Sequence, residues 1–191
     1  MCLVLNKIDR LVIIRQMDGE QIYHQLTLII EEINSIIAEL IKADFIDQGQ
    51  NFDEVLEAKE SELFFDPAKG NVAFASAYDC WSFSLPSFLP NVAQKLGMNA
   101  KALQKFMWGD YYFANKQVTK VPPTASSKIM FVQFIMDPLV EKYNKIFSKE
   151  VLKNTALIRE AHVKIKEKLS KLMPTEYGIF KMVIDNLPSP I

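Results

Sequence analysis

Two cysteines, Cys2 and Cys80, are the only thiols in 191 residues, and neither has a second cysteine or a histidine near it in sequence. That is too few for a disulfide framework and gives no spacing for a zinc site, and it suits a reduced, cytoplasmic compartment. Net charge is lacking as well. Against 22 basic residues stand 23 acidic ones, so no global field draws the chain to nucleic acid or membrane, and any such contact must be a local patch. Long apolar runs are absent. Met1 to Leu5 passes at once into Asn6, Lys7, Asp9 and Arg10, far too short for a signal peptide or a membrane helix, so a soluble protein with no membrane partner is expected. No repeat recurs at a fixed period. What is present is a hydrophobic content of 49%, enough for one core, with or without a smaller appended lobe, and too much for a disordered chain.

Cys2-Leu3-Val4-Leu5 is a short continuous apolar run, the pattern of a parallel strand buried on both faces. Ile22, Leu26, Ile29, Ile30, Ile33, Ile37 and Leu40 recur at helical spacing, which predicts a long amphipathic helix to about Leu40 with its start signal at Asp18-Gly19. Asp44 to Glu62 holds seven acidic residues without the spacing of a calcium loop and reads as a surface excursion. A turn at Asp66–Gly70 leads into a second buried strand, Asn71–Ser76. Short helices are predicted over 86–96 and 99–107 and a hairpin over 110–121, ended by Pro122-Pro123. Residues 129–147 read as a strand or turn, then, past Asp137-Pro138, a helix. A lysine-rich helix over 151–173 and a last helix from Pro174 complete the chain.

Asn6-Lys7-Ile8-Asp9 directly follows the first strand, and ligands of open α/β sheets sit at the carboxyl ends of strands. Asp9 can accept two hydrogen bonds from the N1 and exocyclic N2 donors of guanine, a match adenine cannot offer. A rejected base would leave a buried carboxylate unpaired, which costs more than a lost contact. Asn6 can donate to the N7 edge and tie neighbouring loops together, while the Lys7 stem can cover one face of the ring. By themselves these four residues fit a polar strand-end turn equally well. Ser76-Ala77, at the end of the second strand, adds a backbone N–H for guanine O6 and a hydroxyl to brace the loop.

Together with Gly70-Asn71-Val72-Ala73-Phe74-Ala75-Ser76-Ala77-Tyr78-Asp79-Cys80-Trp81, Trp108-Gly109-Asp110-Tyr111-Tyr112 and Leu187-Pro188-Ser189-Pro190, this motif resembles the elongation factor 2 superfamily of translational GTPases. Within it, Ser-Ala-x-Asp-x-Trp looks more like the elongation factor-like GTPases of ribosome assembly, with Asp79 the discriminating residue. Cys80 departs from the glycine favoured there. The resemblance implies an α/β fold: residues 1–84 as the guanine-binding half of a P-loop GTPase domain, 85–171 as an inserted α+β lobe, and 172–191 as the last helix and exit. It implies guanine-nucleotide contacts from Asn6, Lys7, Asp9, Ser76, Ala77 and Tyr78, with GTP or GDP as ligand. The parent function implied is GTP-driven late maturation of the large ribosomal subunit with its assembly factors, releasing an anti-association factor. Ribosomal translocation, as in elongation factor 2, and a catalytically inert interaction fragment are the alternatives.

The phosphate-handling parts are missing. No Gly-Lys pair and no Asp-x-x-Gly turn occurs in the sequence, so nothing cradles a triphosphate or senses its terminal group. Catalysis in this class is positioning and charge stabilisation by those parts. No catalytic or metal-ligating residue is assigned, Mg²⁺ is expected only in a complete domain, and the chain is expected to be a truncated, split or partial product. His24 and His162 are read as plain helix residues, the lysines from Lys142 to Lys171 as a solvated face, and Trp81, Phe83, Trp108, Tyr111 and Tyr112 as core and lobe-joining contacts.

Overall fold

The computed structural model describes residues 1–46 and 63–188. It mixes helices with two small sheets. Strands β1 (Leu3–Leu5), β2 (Val72–Ser76) and β3 (Trp81–Ser84) form the first sheet in that order, with β1 parallel to β2 and β2 antiparallel to β3. Leu5 pairs with Phe74 and Ser76 with Trp81, so β1 and β2 end on the same side. β2 is buried at all five positions, as its unbroken apolar run requires. β1 departs from the expected two-sided burial. Leu5 is buried, but Leu3 is half-buried and Val4 is 39% exposed. The reason is position: among the described residues β1 pairs with β2 alone, which leaves it an edge strand.

β3 was not anticipated. Its connection to β2, Ala77–Cys80, contains no glycine, and Cys80 supplies the left-handed step at φ 55° instead. α1 (Ile8–Ile13) follows β1, entered through Lys7, which is also left-handed at φ 69° and ψ 31°. The long helix α2 (Gly19–Ile46) starts at a reciprocal cap: Asp18 Oδ1 accepts the Gln21 N–H at 2.9 Å, and Gln21 Oε1 accepts the Asp18 N–H at 3.1 Å. Its apolar stripe, including Ile22, Leu26 and Ile30, faces the core. Asn34 on the same helix binds both backbone groups of Phe65, at 2.9 and 2.8 Å, and so fixes the approach to β2. The acidic excursion expected over 44–62 lies outside the described residues apart from the end of α2.

Helices α3 (Leu85–Leu96) and α4 (Ala100–Gln104) follow β3. The first is capped by Ser84 and Ser87 and closed at Gly97, and the second ends sooner than its sequence pattern implied. The hairpin is real but short, β4 (Tyr112–Ala114) with β5 (Gln117–Thr119), and turns through Asn115 and Lys116, both at positive φ. Of the strand or turn expected before α5 (Asp137–Ile146), the structure has the turn, with a single bridge from Ile129 to Tyr112 ahead of it. Residues Val132–Met136 form a π turn that runs straight into α5, the Asp137 N–H reaching back to the Val132 carbonyl. Pro138 has no N–H and its ring crowds the carbonyl four residues back, and widening the preceding turn relieves both.

α6 (Thr155–Leu172) begins at Asn154, whose Oδ1 accepts the Ala156 N–H at 2.9 Å. A second π turn, Glu176–Phe180, leads into α7 (Lys181–Asn186). Gly178 makes this docking possible: a Cβ there would lie 2.5 Å from the carbonyl carbon and oxygen of Ser82. Ser82 then binds both sides of the join, its N–H donating to the Met173 carbonyl at 3.0 Å and its Oγ accepting the Ile179 N–H at 3.2 Å. One hydrophobic cluster joins the sheet, α2, α3, α5 and α6, with Trp81, Phe74, Phe83, Phe131 and Tyr143 among its largest fully buried side chains.

Candidate functional site

Because β1 and β2 run parallel, the segments leaving their carboxyl ends emerge side by side. Asn6 and Ala77, 71 residues apart, meet there: Asn6 Oδ1 accepts the Ala77 N–H at 3.0 Å and the Lys7 N–H at 2.7 Å. Two donors on one atom identify it as the amide oxygen, so the Asn6 NH₂ is turned the other way. Around this tie lies a cleft of about 650 Å³, lined among others by Asn6, Lys7, Asp9, Ala77, Tyr78 and His162. Asp9, in the first turn of α1, is only 6% exposed, and among the described residues no hydrogen-bond donor reaches its carboxylate. Its carboxylate oxygens are not among the buried polar atoms left without a partner, so they open onto the cleft, where water or a ligand can donate to them.

Five of the six residues singled out from the sequence therefore line one cleft. The sixth, Ser76, is fully buried and faces inward. Its Oγ accepts the Asp79 N–H at 3.2 Å, which braces the loop from behind. Within that loop the Ala77 N–H is committed to Asn6 and the Cys80 N–H to the Ala77 carbonyl, and among the described residues no acceptor meets the Tyr78 N–H. A second hollow of about 640 Å³ lies beside α2, lined by Thr27, Asn34, Lys105, Trp108 and Tyr111 among others, and contains none of the motif residues.

The loop rests on a buried polar chain. Asp79 has no solvent exposure. Its Oδ2 accepts the Tyr143 hydroxyl at 2.6 Å, Tyr143 in turn accepts the Trp81 Nε1–H at 2.8 Å, and its Oδ1 lies 2.6 Å from His162 Nδ1. Burial, then the Asp79 charge beside it, raises the Tyr143 pKa, so the hydroxyl remains a donor at any working pH. His162 is thus no plain helix residue. It stands 83 positions from its partner, and no spacing in the sequence links the two. His24, by contrast, is an exposed residue of α2, as expected.

No family model matches the chain. Ribosome assembly protein 1 of Schizosaccharomyces pombe is 32% identical to it over 99% of the chain, and elongation factor-like GTPase 1 of Mus musculus is 29% identical over the same share. The chain is a relative of the elongation factor-like GTPases. It spans 20% of the length of each of these proteins. The alignments run to 208 and 225 positions against 191 residues, so the relatives carry extra residues inside the matched stretch. Ribosome assembly protein 1 of Saccharomyces cerevisiae, at 28% identity, matches the same 99%. Among the described residues no helix is long and apolar enough to cross a membrane.

Proposed function

We propose that this chain is the guanine-reading part of a translation-factor-type GTPase whose complete form acts, in the cytoplasm, in GTP-driven late maturation of the large ribosomal subunit. The observation that carries the reading is the meeting of Asp9, a largely covered residue whose carboxylate has no protein donor among the described residues, with the Asn6–Ala77 tie on one cleft. Guanine N1–H and N2–H₂ supply two donors to that carboxylate. The outward amide of Asn6 then meets N7, the Tyr78 N–H meets O6, and the Lys7 stem covers a ring face. Adenine offers the carboxylate no matching pair and is rejected by the cost of leaving it bare.

The residues present fit the base and offer no Gly-Lys loop for phosphate, so Mg²⁺ and the triphosphate belong to a complete domain. Hydrolysis by these 191 residues alone is not expected. The relatives named for ribosome assembly favour that process over translocation. The large subunit, its assembly factors and release of an anti-association factor are the setting that the family resemblance implies for the complete protein. Equilibrium binding of guanosine and xanthosine diphosphates to the purified chain tests the base site. Asp9→Asn replaces an acceptor by a donor at one position and shifts preference toward xanthine by about tenfold or more. An unchanged guanine-to-xanthine ratio removes Asp9 as the base reader. Cosedimentation of the tagged protein with large-subunit precursors tests the ribosomal setting.

A further inference from the structure

α6 buries Ala161, Ile165 and Leu169 against the core and places His162 at the edge of that face, beside the cleft. Three groups surround its ring. Asp79 Oδ1 lies 2.6 Å from Nδ1, the Tyr78 ring meets the imidazole edge-on with centroids 4.5 Å apart, and the Phe147 ring does so at 4.9 Å. Two consecutive residues of the Ser76–Cys80 turn, Tyr78 and Asp79, therefore touch one imidazole. The same turn is held from behind by the Ser76 hydroxyl and at its front by Asn6.

A fully buried carboxylate has lone pairs on both oxygens to satisfy, and Tyr143 meets only Oδ2. His162 meets the other. Against a carboxylate oxygen, which only accepts, Nδ1 is the ring nitrogen that carries the hydrogen of this contact. His162 lies 83 positions beyond Asp79, and the helix that carries it packs against β3, the strand that the loop leads into. His162 thus links α6 directly to both Tyr78 and Asp79.

We propose that His162 is the positioning residue of the Ser76–Cys80 loop, holding Ala77 and Tyr78 where a bound base meets them and coupling α6 to the cleft. The inference rests on the guanine-site reading for its ligand, but the hold on the loop is measurable without any ligand.

The test compares His162→Ala, His162→Asn and His162→Gln in the 191-residue chain, using amide hydrogen exchange by NMR and titration with guanosine and xanthosine diphosphates. Asn carries an N–H donor at the place of Nδ1, and Gln sets it one methylene away. His162→Ala is expected to speed exchange at Ala77, Asp79 and Cys80 by tenfold or more while Phe74 and Ala75 of β2 exchange as before. His162→Asn restores most of that protection. Should the alanine variant fail to fold, His162→Gln is expected to show the same local release. The guanine-over-xanthine preference falls with the loop's protection and returns in His162→Asn. Unchanged exchange in the loop, acceleration shared equally by β2, or no rescue by asparagine overturns the proposal and leaves His162 an ordinary packing residue. A parent chain that binds neither nucleotide defeats the guanine-site reading instead, and the exchange data still decide whether His162 holds the loop.

Discussion

Replacing Tyr143 by phenylalanine deletes one oxygen and leaves a fully buried ring in place, so nearly all of its effect on stability is hydrogen bonding. That oxygen donates to Asp79 Oδ2 at 2.6 Å and accepts the Trp81 Nε1–H at 2.8 Å. Trp81 is 1% exposed and Asp79 0%, so neither partner can turn to bulk water when the hydroxyl is gone. Stranding the indole N–H costs about 1–2 kcal/mol, and taking one of two donors from a buried carboxylate costs about 1.5–3 kcal/mol. The two losses share a network and are not strictly additive, which puts the total at about 3–4 kcal/mol. For a chain of this size, that lowers the thermal midpoint by about 6–16 °C. Urea unfolding followed by tryptophan fluorescence measures it, with Trp81 itself inside the network. A loss below about 1 kcal/mol, the range of an ordinary surface change, would refute the reasoning, since it would mean that Asp79 and Trp81 are satisfied some other way.

Gly178→Ala would set a Cβ 2.5 Å from the Ser82 carbonyl, backbone that cannot swing aside, and is expected to cost about 1–3 kcal/mol in urea denaturation while speeding exchange in α7. Stability within about 0.5 kcal/mol of the parent would show that α7 docks differently. Cys80→Gly removes a non-glycine residue from a left-handed position at φ 55° and is expected to raise stability by about 0.5–1 kcal/mol, net of glycine's greater loss of chain entropy, as read by thermal melting. Burial, then the charges of Lys95, Lys145 and Lys168, holds the Lys142 ammonium below its usual 10.5. The unfolded chain therefore binds that proton more tightly, so the penalty is fully present below the folded pKa and fades as pH rises through it toward 10.5. Lys142→Met is expected to raise the urea midpoint slightly at neutral pH, an effect that solvent screening of this partly exposed ammonium keeps small, with the advantage shrinking toward pH 10.5, and a pH-independent difference in midpoints would count against it.

Much of the element order could be read from pattern. The stripe of Ile22, Leu26 and Ile30 marks α2 with its Asp18 start, the apolar run Val72–Ala75 marks β2, and Gly97 closes α3. Elements whose cause is not local were not legible. β3 follows a turn with no glycine signal, because Cys80 accepts a backbone conformation its side chain disfavours. Around Pro138 the sequence shows a helix breaker, yet the backbone absorbs it in a π turn rather than stopping. Val4 reads as buried from its neighbours in sequence, and only the absence of a second strand beside β1 among the described residues leaves it partly exposed.

The candidate site divides in the same way. Sequence alone determined that the chain carries an Asn-Lys-Ile-Asp turn after one strand and Ser-Ala after another, and the chemistry of those side chains toward guanine follows from residue type. Relationship to the elongation factor-like GTPases was likewise readable from those motifs, because the family resemblance lies in contiguous residues. Tertiary structure decided what those residues touch. The parallel pairing of β1 with β2 is what brings Asn6 Oδ1 to the Ala77 N–H, and the placement of α1 is what sets Asp9 in the wall of the same cleft. The packing of α5 and α6 against β3 turned Asp79 into the anchor of the loop and His162 into its partner. Hydrogen bonds between residues 64 and 83 positions apart depend on where helices dock, and docking is set by the summed shape of the core rather than by any short stretch of chain.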